Sequence, residues 1–526
     1  MHPERFNFAR DVLDELASDP ARLAIWWVDD EDHERKMTFA ELCRESRRLC
    51  NALSSQGIGR GDVVIVILPR LIEWWVINVA CLRTGAVISP GPTQLTEEDI
   101  RYRLERSEAS CVITDQEGVP RVDAVVEACS SVKSKIVIGG QSPGWASYEE
   151  VVRDSSDTFE TVDTRSDEMA AIYFTSGTSG YPKMTVHTHV SYPLRHKVTG
   201  QLWLDLREGD LHWNFSDTGW AKAGWSSIYG PWNQGATVFV HHARRFDPKR
   251  ALRLLARYPV STMCAAPTVY RMLLLEGLDS TELMALRHCV AAGEPLNAEV
   301  VDRWRLATGI TIREGYGQTE TSLLVGSFPP MEARPGSMGT PAPGFDVQVV
   351  DEKGDILGPG QEGDIAVRVK PERPLGLFRE YWKDAELTAA VYRGDWYITG
   401  DRAYRDEDGY FWFVGRADDV IITSGYRIGP FEVESALLEH DAVAESAVVS
   451  SPDPVRGEIV KAFIVLKQGF GPSEQLVEEL QEHVKQSTAP FKYPRAIEFV
   501  DRLPKTTSGK MLRAALRAAE WADSAS

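Results

Sequence analysis

No CxxC pair and no histidine-spaced cysteine cluster occurs in this chain of 526 residues. The absence excludes the common zinc and dithiol redox motifs. The seven cysteines (Cys43, Cys50, Cys81, Cys111, Cys129, Cys264, Cys289) are scattered through mostly apolar sequence and read as reduced core thiols. No apolar run approaches the roughly 18 residues of a membrane-spanning helix, so no membrane span is expected. The opening residues MHPERFNFARDVLDELASD are acidic, with neither an apolar signal core nor the Arg/Ser-rich, acid-poor character of a transit peptide. The cytoplasm is therefore the expected location, with the mitochondrial matrix as the alternative for a trimmed mature chain. Positive charge is also short: Lys and Arg total 58 against 77 Asp and Glu, a net charge of −19. Such a surface repels phosphate backbones and anionic lipid, which argues against nucleic acid as a partner. Internal repeats and low-complexity tracts are missing as well.

What is present is apolar content, 43% of the chain, enough for a sizeable core in each of two or three domains. Short β-branched runs alternate with helical stretches: VVIVIL at 63–68 precedes LIEWWVINVACLRTG, and SCVIT, KIVI, AAIYF, TVFV and VSTMC follow at 110, 135, 170, 237 and 260. This alternation predicts an α/β fold of parallel and mixed sheets with crossover helices. From about residue 335 the texture changes to closely spaced strands with Gly/Pro/Asp turns, as in GFDVQVVDEKGDILGPGQEGDIAVRV. After GRADD at 415–419 a smaller α+β unit begins: strand DVIIT, helix PFEVESALLEH, strands AVAESAVVS and VKAFIVL, helix SEQLVEELQEHVKQ and a last strand RAIEFV. The expected division is an N-terminal domain over 1–416, with a β-rich subdomain at about 335–416, and a C-terminal domain over 417–526.

The run YFTSGTSGYPK at 173–183 has the composition of a flexible connector, but a connector belongs in polar surroundings. This one leaves the apolar segment MAAIYF and closes on Pro182 and Lys183, gathering hydroxyls, backbone amides and an ammonium in a small space. That is phosphate-cradling chemistry. It is not a Walker A loop, because Gly177, Gly180 and Lys183 are wrongly spaced and Met184 follows the lysine where a Ser or Thr would hold the metal.

TSGTSGYPK at 175–183, EGYGQTE at 314–320, YITGD at 397–401, GYFWFVGRADDVI at 409–421, SGYRIGPFEVE at 424–434 and PKTTSGK at 504–510 stand in the order found in acyl-adenylate-forming enzymes, which include acyl-CoA synthetases, peptide-synthetase adenylation domains and beetle luciferases. Nearly the whole chain resembles this superfamily, and NFSDTGWAKAGWSS, CAAPTVYRML and SSPDPVRGEIVKAF resemble medium-chain acyl-CoA synthetases, ligases of fatty acid metabolism. The resemblance implies a mobile C-terminal domain and two half-reactions. A carboxylate and ATP give acyl-AMP and pyrophosphate, and coenzyme A then displaces AMP to form a thioester.

By the same resemblance Thr175, Ser176, Gly177, Thr178, Ser179, Gly180, Tyr181, Pro182 and Lys183 wrap the β- and γ-phosphates. Glu314, Gly315, Tyr316, Gly317, Gln318 and Thr319 form the nucleotide segment, with Tyr316 under adenine and Thr319 on the α-phosphate. Glu320 resembles the magnesium ligand, Asp401 the carboxylate that clamps both ribose hydroxyls, and Arg416 a nucleotide-contacting arginine. Asp418 resembles the hinge, and Lys510 the lysine bridging substrate carboxylate and α-phosphate; Lys510, Thr319 and Glu320 are the implied catalytic residues. Ser424, Gly425 and Tyr426 are similar to residues near coenzyme A, and Arg427 to one at the substrate end. Gln94, Arg103, Arg456, Lys492 and Tyr493 are candidates for the cofactor's phosphates and adenine, although Arg103 and Arg456 equally suit surface ion pairs.

Gly317 stands where acetate-specific relatives carry a tryptophan, which implies a pocket continuing past it along Trp220 and accepting acids of roughly four to ten carbons. A bare turn at Gly317 fits the residue too. The histidines, including HTH at 187–189, have no metal spacing and read as structural. Other readings of the same fold are an adenylation enzyme that loads a carrier protein and a catalytically idle nucleotide-binding homologue. A monomer or small homo-oligomer is expected.

Overall fold

The segment IEWWVINVACLRT has no polar face, so a helix made of it has to be covered all round. In the computed structural model, which describes residues 2–175, 182–278, 283, 285–423, 426–453, 456–505 and 511–523, it is the helix Ile72–Thr84, with nearly every side chain buried. One apolar cluster joins it to both large sheets, through Val64 and Ile113 of one and Ile25 and Val240 of the other.

The first of these sheets has seven strands in the order Ala146–Ser147, Ser134–Ile138, Cys111–Asp115, Val63–Ile67, Val87–Gly91, Met169–Thr175, Lys183–Thr188. All neighbouring pairs are parallel except the last, where Thr175 lies opposite Lys183. Alternation along VVIVI divides its side chains between two cores: Val64 and Val66 face the shared helix, while Val63, Ile65 and Ile67 join the cluster on the other face. The second sheet has nine strands and runs from Glu34–Thr38 at one edge to Ile312–Gln318, Ser322–Gly326 and Thr340–Pro341 at the other. Its far face carries the helices Pro248–Arg257, Pro267–Leu275 and Ala298–Thr308 over a core centred on Tyr270 and Trp304.

The β-rich stretch forms a separate antiparallel five-stranded sheet in which Trp396–Arg405 pairs with both Gly363–Arg368 and Phe411–Arg416. The last unit packs the helices Pro430–Leu438 and Glu474–Ser487 on a sheet of Val443–Asp453, Gly457–Leu466 and Ala496–Phe499. It also contains a helix that the sequence reading did not give, Arg513–Asp523, tied down by Lys461 to Glu520 (2.6 Å) and by a part-buried Arg513–Glu434 ion pair (2.5 Å). All seven cysteines are free and buried. Among the described residues no helix is long and apolar enough to cross a membrane.

One buried charge pins the N-terminal helices to this frame. The Arg83 side chain is fully buried, and its guanidinium forks onto Asp14 at 2.6 and 3.0 Å and reaches Ser46 Oγ (3.0 Å) and Thr161 Oγ1 (2.8 Å). Burial alone raises the Asp14 pKa, but the hydrogen bonds and charge of Arg83 outweigh it and hold the carboxyl below its ordinary value. Removing the carboxylate leaves a buried guanidinium uncompensated, a loss of about 3 kcal/mol. Asp14→Asn should therefore lower the melting temperature by several degrees at pH 7. Because a depressed pKa contributes stability only above it, the gap between wild type and variant should close as pH falls below about 4, the value of an unfolded Asp. Thermal melts across pH check both expectations.

Candidate active site

The segment EGYGQ, buried at Glu314 and Gly315 and half-buried from Tyr316 to Gln318, completes the strand Ile312–Gln318, which turns back on Ser322–Gly326 through Thr319, Glu320 and Thr321. The turn is tight. Thr321 N–H donates to the Gln318 carbonyl (3.2 Å), Thr321 Oγ1 accepts from Gln318 N–H (3.0 Å), and Ser322 takes the left-handed φ of +65° that lets the chain reverse. Glu314 lies buried behind it with Leu296 N–H on one carboxylate oxygen (3.2 Å), and burial pushes its pKa up to about 8.

Asp401 comes from the five-stranded sheet, yet its carboxylate closes on this strand. Oδ2 accepts from Tyr316 OH (2.7 Å) and Gln318 Nε2 (2.6 Å), and Arg416 approaches Oδ1 at 3.5 Å. Oδ2 is thus engaged by the strand, and Oδ1 faces Arg416. Tyr397 OH, which the sequence did not single out, donates to Gln318 Oε1 (3.1 Å) and orients that amide. Arg416 also reaches Asp418 (3.4 Å); burial opposes its charge, but Asp401 and Asp418 hold its pKa above the ordinary value. Asp418 follows the last strand of the β-rich sheet, and its carbonyl accepts from Arg517 of the C-terminal helix (2.7 Å).

Lys183 begins the strand Lys183–Thr188, and its ammonium sits 5.2 Å above the Tyr381 ring. The Tyr381 hydroxyl donates to the Glu320 carboxylate at 2.9 Å. Burial raises the Glu320 pKa, with Tyr381 and then Lys183 pulling it back. Tyr381 also was not foreseen, because nothing local marks a tyrosine in FREYWKD as facing a residue so far back in the chain. Pro182 accepts from Tyr102 OH through its carbonyl (3.0 Å). Ser176, Gly177, Thr178, Ser179, Gly180, Tyr181, Ser424, Gly425 and Lys510 lie outside the described residues.

Beside the turn opens a cavity of about 840 Å³ whose lining includes Gln94, Trp220, Trp225, Gly317, Gln318 and Thr319. Gly317 does not leave open space where its side chain is missing. A Cβ there would stand 2.0 Å from the Ser322 carbonyl oxygen and 2.9 Å from the indole of Trp225. Close backbone approach therefore requires glycine, and Trp225 already occupies the neighbouring volume. The open-ended pocket expected at Gly317 is thus bounded by another aromatic, one that the sequence reading left unmarked in GWSS.

The remaining candidates for cofactor contact do not converge. Arg103 is buried with its guanidinium 4.4 Å over the Phe174 ring, and loss of solvent pulls its pKa down to about 10, so it presents no solvated charge to a phosphate. Lys492 pairs with Glu432, and Tyr493 accepts from Arg495 (2.7 Å) on the C-terminal unit. The exposed Arg456 donates its backbone N–H to Asp453 (2.8 Å). Tyr426 and Arg427 stand on the short strand Tyr426–Ile428.

Comparison with known proteins fits this geometry. The AMP-binding enzyme family matches residues 14–382, and the AMP-binding enzyme C-terminal domain matches residues 432–510. The chain is 54% identical to the human acyl-coenzyme A synthetase ACSM3, mitochondrial, over 99% of its own length and 90% of that protein's. Among solved structures it superposes on the anthranilate CoA ligase AuaEII in complex with anthranoyl-AMP with a TM-score of 0.92 at 31% identity, covering 100% of this chain and 99% of that one. A benzoate CoA ligase from Burkholderia xenovorans LB400 gives 0.86 at 30% identity, over 97% and 100% of the two chains. With the family's models matching residues 14–382 and 432–510, and with 54% identity to a relative over 99% of its length, the chain belongs to the AMP-binding enzyme family.

Proposed function

We propose that the chain is an acyl-CoA synthetase that activates a medium-chain carboxylic acid with ATP and transfers the acyl group to coenzyme A. The observation that carries this reading is the single cavity shared by the Thr319 turn and the apolar wall of Trp220 and Trp225. A phosphate-binding turn and an acyl wall within one space suit attack of a carboxylate on a nucleotide.

A carboxylate oxygen attacks the α-phosphorus, the bond to pyrophosphate breaks, and negative charge spreads over all three groups. Fixed donors and cations are the main means of stabilising that charge. In this chain they are Thr319 at the α-phosphate, Lys183 and residues 175–182 at the leaving phosphates, and Lys510 across carboxylate and α-phosphate. Magnesium, when bound, neutralises phosphate charge, and the buried Glu320 carboxylate beside Lys183 is the hard oxygen ligand that would hold it. Asp401 and Arg416 hold the nucleotide's sugar side. The coenzyme A sulfur then attacks the acyl carbon and AMP leaves. Gln94 of the cavity lining, residues 424–427, Arg456, Lys492 and Tyr493 are the proposed thiol-side residues.

Rotation about Asp418 of a domain spanning 417–526 against one spanning 1–416 would exchange the two sets. That Asp418 falls between the segments matched by the two family models supports this division. The mitochondrial naming of the relatives supports the mitochondrial matrix over the cytoplasm. Incubation with ATP, coenzyme A and labelled octanoate tests the reaction: label should reach the thioester, whereas a carrier-loading enzyme stops at the adenylate and an idle homologue makes neither.

Further outcomes follow from these roles. Lys510→Ala should lose roughly 10² to 10³ in the adenylation rate, as for loss of one preorganised donor. Thioester formation from supplied acyl-AMP should survive; equal loss in both steps would remove the assigned role. Chain length is better tested at Trp225 than at Gly317, where any side chain strikes backbone. Each additional buried methylene contributes about 0.8 kcal/mol. Trp225→Leu should therefore raise the kcat/KM ratio of decanoate to butyrate by about tenfold or more. An unchanged profile across acids of increasing length would show that Trp225 does not bound the acyl site.

A further inference from the structure

The turn that carries Thr319 is gripped from a second sheet by groups the reaction does not use. His187 and Tyr192 are both buried, and both reach the Thr319 carbonyl: His187 Nε2 lies 2.7 Å from it, and the Tyr192 hydroxyl donates to the same oxygen. A carbonyl only accepts, so Nε2 carries the imidazole hydrogen. Nδ1 is then an acceptor, and it stands 2.9 Å from Ser191 Oγ. That hydroxyl in turn accepts from Thr188 N–H (2.8 Å), and of the two acceptors for its own hydrogen the imidazole stands nearer than the Thr188 carbonyl (3.4 Å). The tautomer is thus determined by a chain of donors running from backbone to backbone. Burial pushes the His187 pKa down to about 3, so the ring stays neutral at working pH.

We propose that His187 and Tyr192 are positioning residues for nucleotide activation, which clamp the Thr319 carbonyl and thereby hold Thr319 in place at the cavity it lines. Both lone pairs of the carbonyl are engaged, so the planar Thr319–Glu320 peptide cannot rotate without losing a buried hydrogen bond. One donor, His187, lies on the strand that bears Lys183, and the other on the helix that follows it. Residues 183, 185 and 187 alternate onto one face of the strand Lys183–Thr188, and Tyr192 begins the helix that follows. The edge of that strand is itself paired with the segment carrying Tyr381, whose hydroxyl holds Glu320: Arg379 N–H donates to the Val186 carbonyl (2.8 Å) and Trp382 N–H to that of Met184 (2.8 Å). The proposed phosphate lysine and the proposed α-phosphate turn are therefore held in one register by a single strand. A histidine serving only to fill the core would need no donor aimed at this carbonyl.

The inference rests on the reading of Thr319 as the α-phosphate contact, and the test keeps the two apart. Tyr192→Phe removes one donor and keeps the ring packing; His187→Leu removes the other; His187→Gln restores an amide hydrogen at about the reach of Nε2. Pyrophosphate release from ATP and octanoate is measured at saturation, together with the rise in melting temperature caused by ATP alone. Small misplacement of a reacting group costs up to about a hundredfold. Tyr192→Phe and His187→Leu should lose roughly 10- to 100-fold in kcat with the KM for octanoate unchanged, and His187→Gln should recover most of it. Equal losses in the Leu and Gln variants, or wild-type kcat in Tyr192→Phe, overturn the clamp. Tyr192→Phe carries the test should His187→Leu fail to fold. If wild type activates none of the acids offered, the proposed function fails, but the ATP-induced rise still reads the clamp: retained in Gln and diminished in Leu supports it, and an equal rise in all proteins overturns it.

Discussion

Backbone groups taken out of water at the Thr319 turn have to find partners, and the arrangement of the large units follows from where those partners lie. The strand before the turn belongs to the nine-stranded sheet. Its carbonyl at Thr319 is satisfied by His187 of the seven-stranded sheet and Tyr192 of the helix after it, and the Glu320 carbonyl by Phe378 N–H (2.6 Å) from the connection between two strands of the β-rich sheet. Asp401 of that last sheet closes on Tyr316 and Gln318 of the strand. Separating any one of these layers would strand polar atoms in an apolar interior, at a cost of about 1–3 kcal/mol each. A turn that every layer must satisfy is held still, and stillness is what a group facing a reacting phosphate requires.

The charge distribution has the same logic on a larger scale. A net charge of −19 is unfavourable for a protein proposed to bind polyanionic ATP and coenzyme A, so the cations have to be local and oriented. Lys183 stands over Tyr381 beside Glu320, and Arg416 lies between Asp401 and Asp418. These carboxylates keep the neighbouring cations extended and ordered before any ligand arrives. Arg83, near the end of the shared helix, shows the contrasting use of a cation: fully buried, held by four hydrogen bonds, and architectural.

Most of the architecture is legible in periodicity. VVIVI divides cleanly between two cores because a strand alternates, and IEWWVINVACLRT had to be enclosed because it has no polar side. The smaller C-terminal unit follows its expected order of elements from Ile421 to Phe499. The final helix Arg513–Asp523 went unread although Arg513, Arg517 and Glu520 line one stripe of it; what fixes its place is ion pairs with the distant Glu434 and Asp419. Such anchors join distant parts of the chain and leave no local pattern. Arg103 misled for the opposite reason: an arginine in an acidic, amphipathic stretch reads as surface, yet here it stacks on Phe174 beneath the sheet.

Sequence alone determined the class of fold, the order of the motifs and the chemical types present at the site, because those depend on composition, alternation and spacing along the chain. Tertiary structure decided what each residue faces. Tyr381 on Glu320, Tyr397 on Gln318 and His187 on Thr319 are pairs far apart in the chain, and no periodicity encodes them. Gly317 shows the difference most plainly. Its lack of a side chain can be read as room for substrate or as room for backbone, and only the 2.0 Å at which a Cβ there would meet the Ser322 carbonyl oxygen decides for backbone. Local sequence sets which conformations a segment can adopt, whereas packing sets which neighbour fills the space beside it.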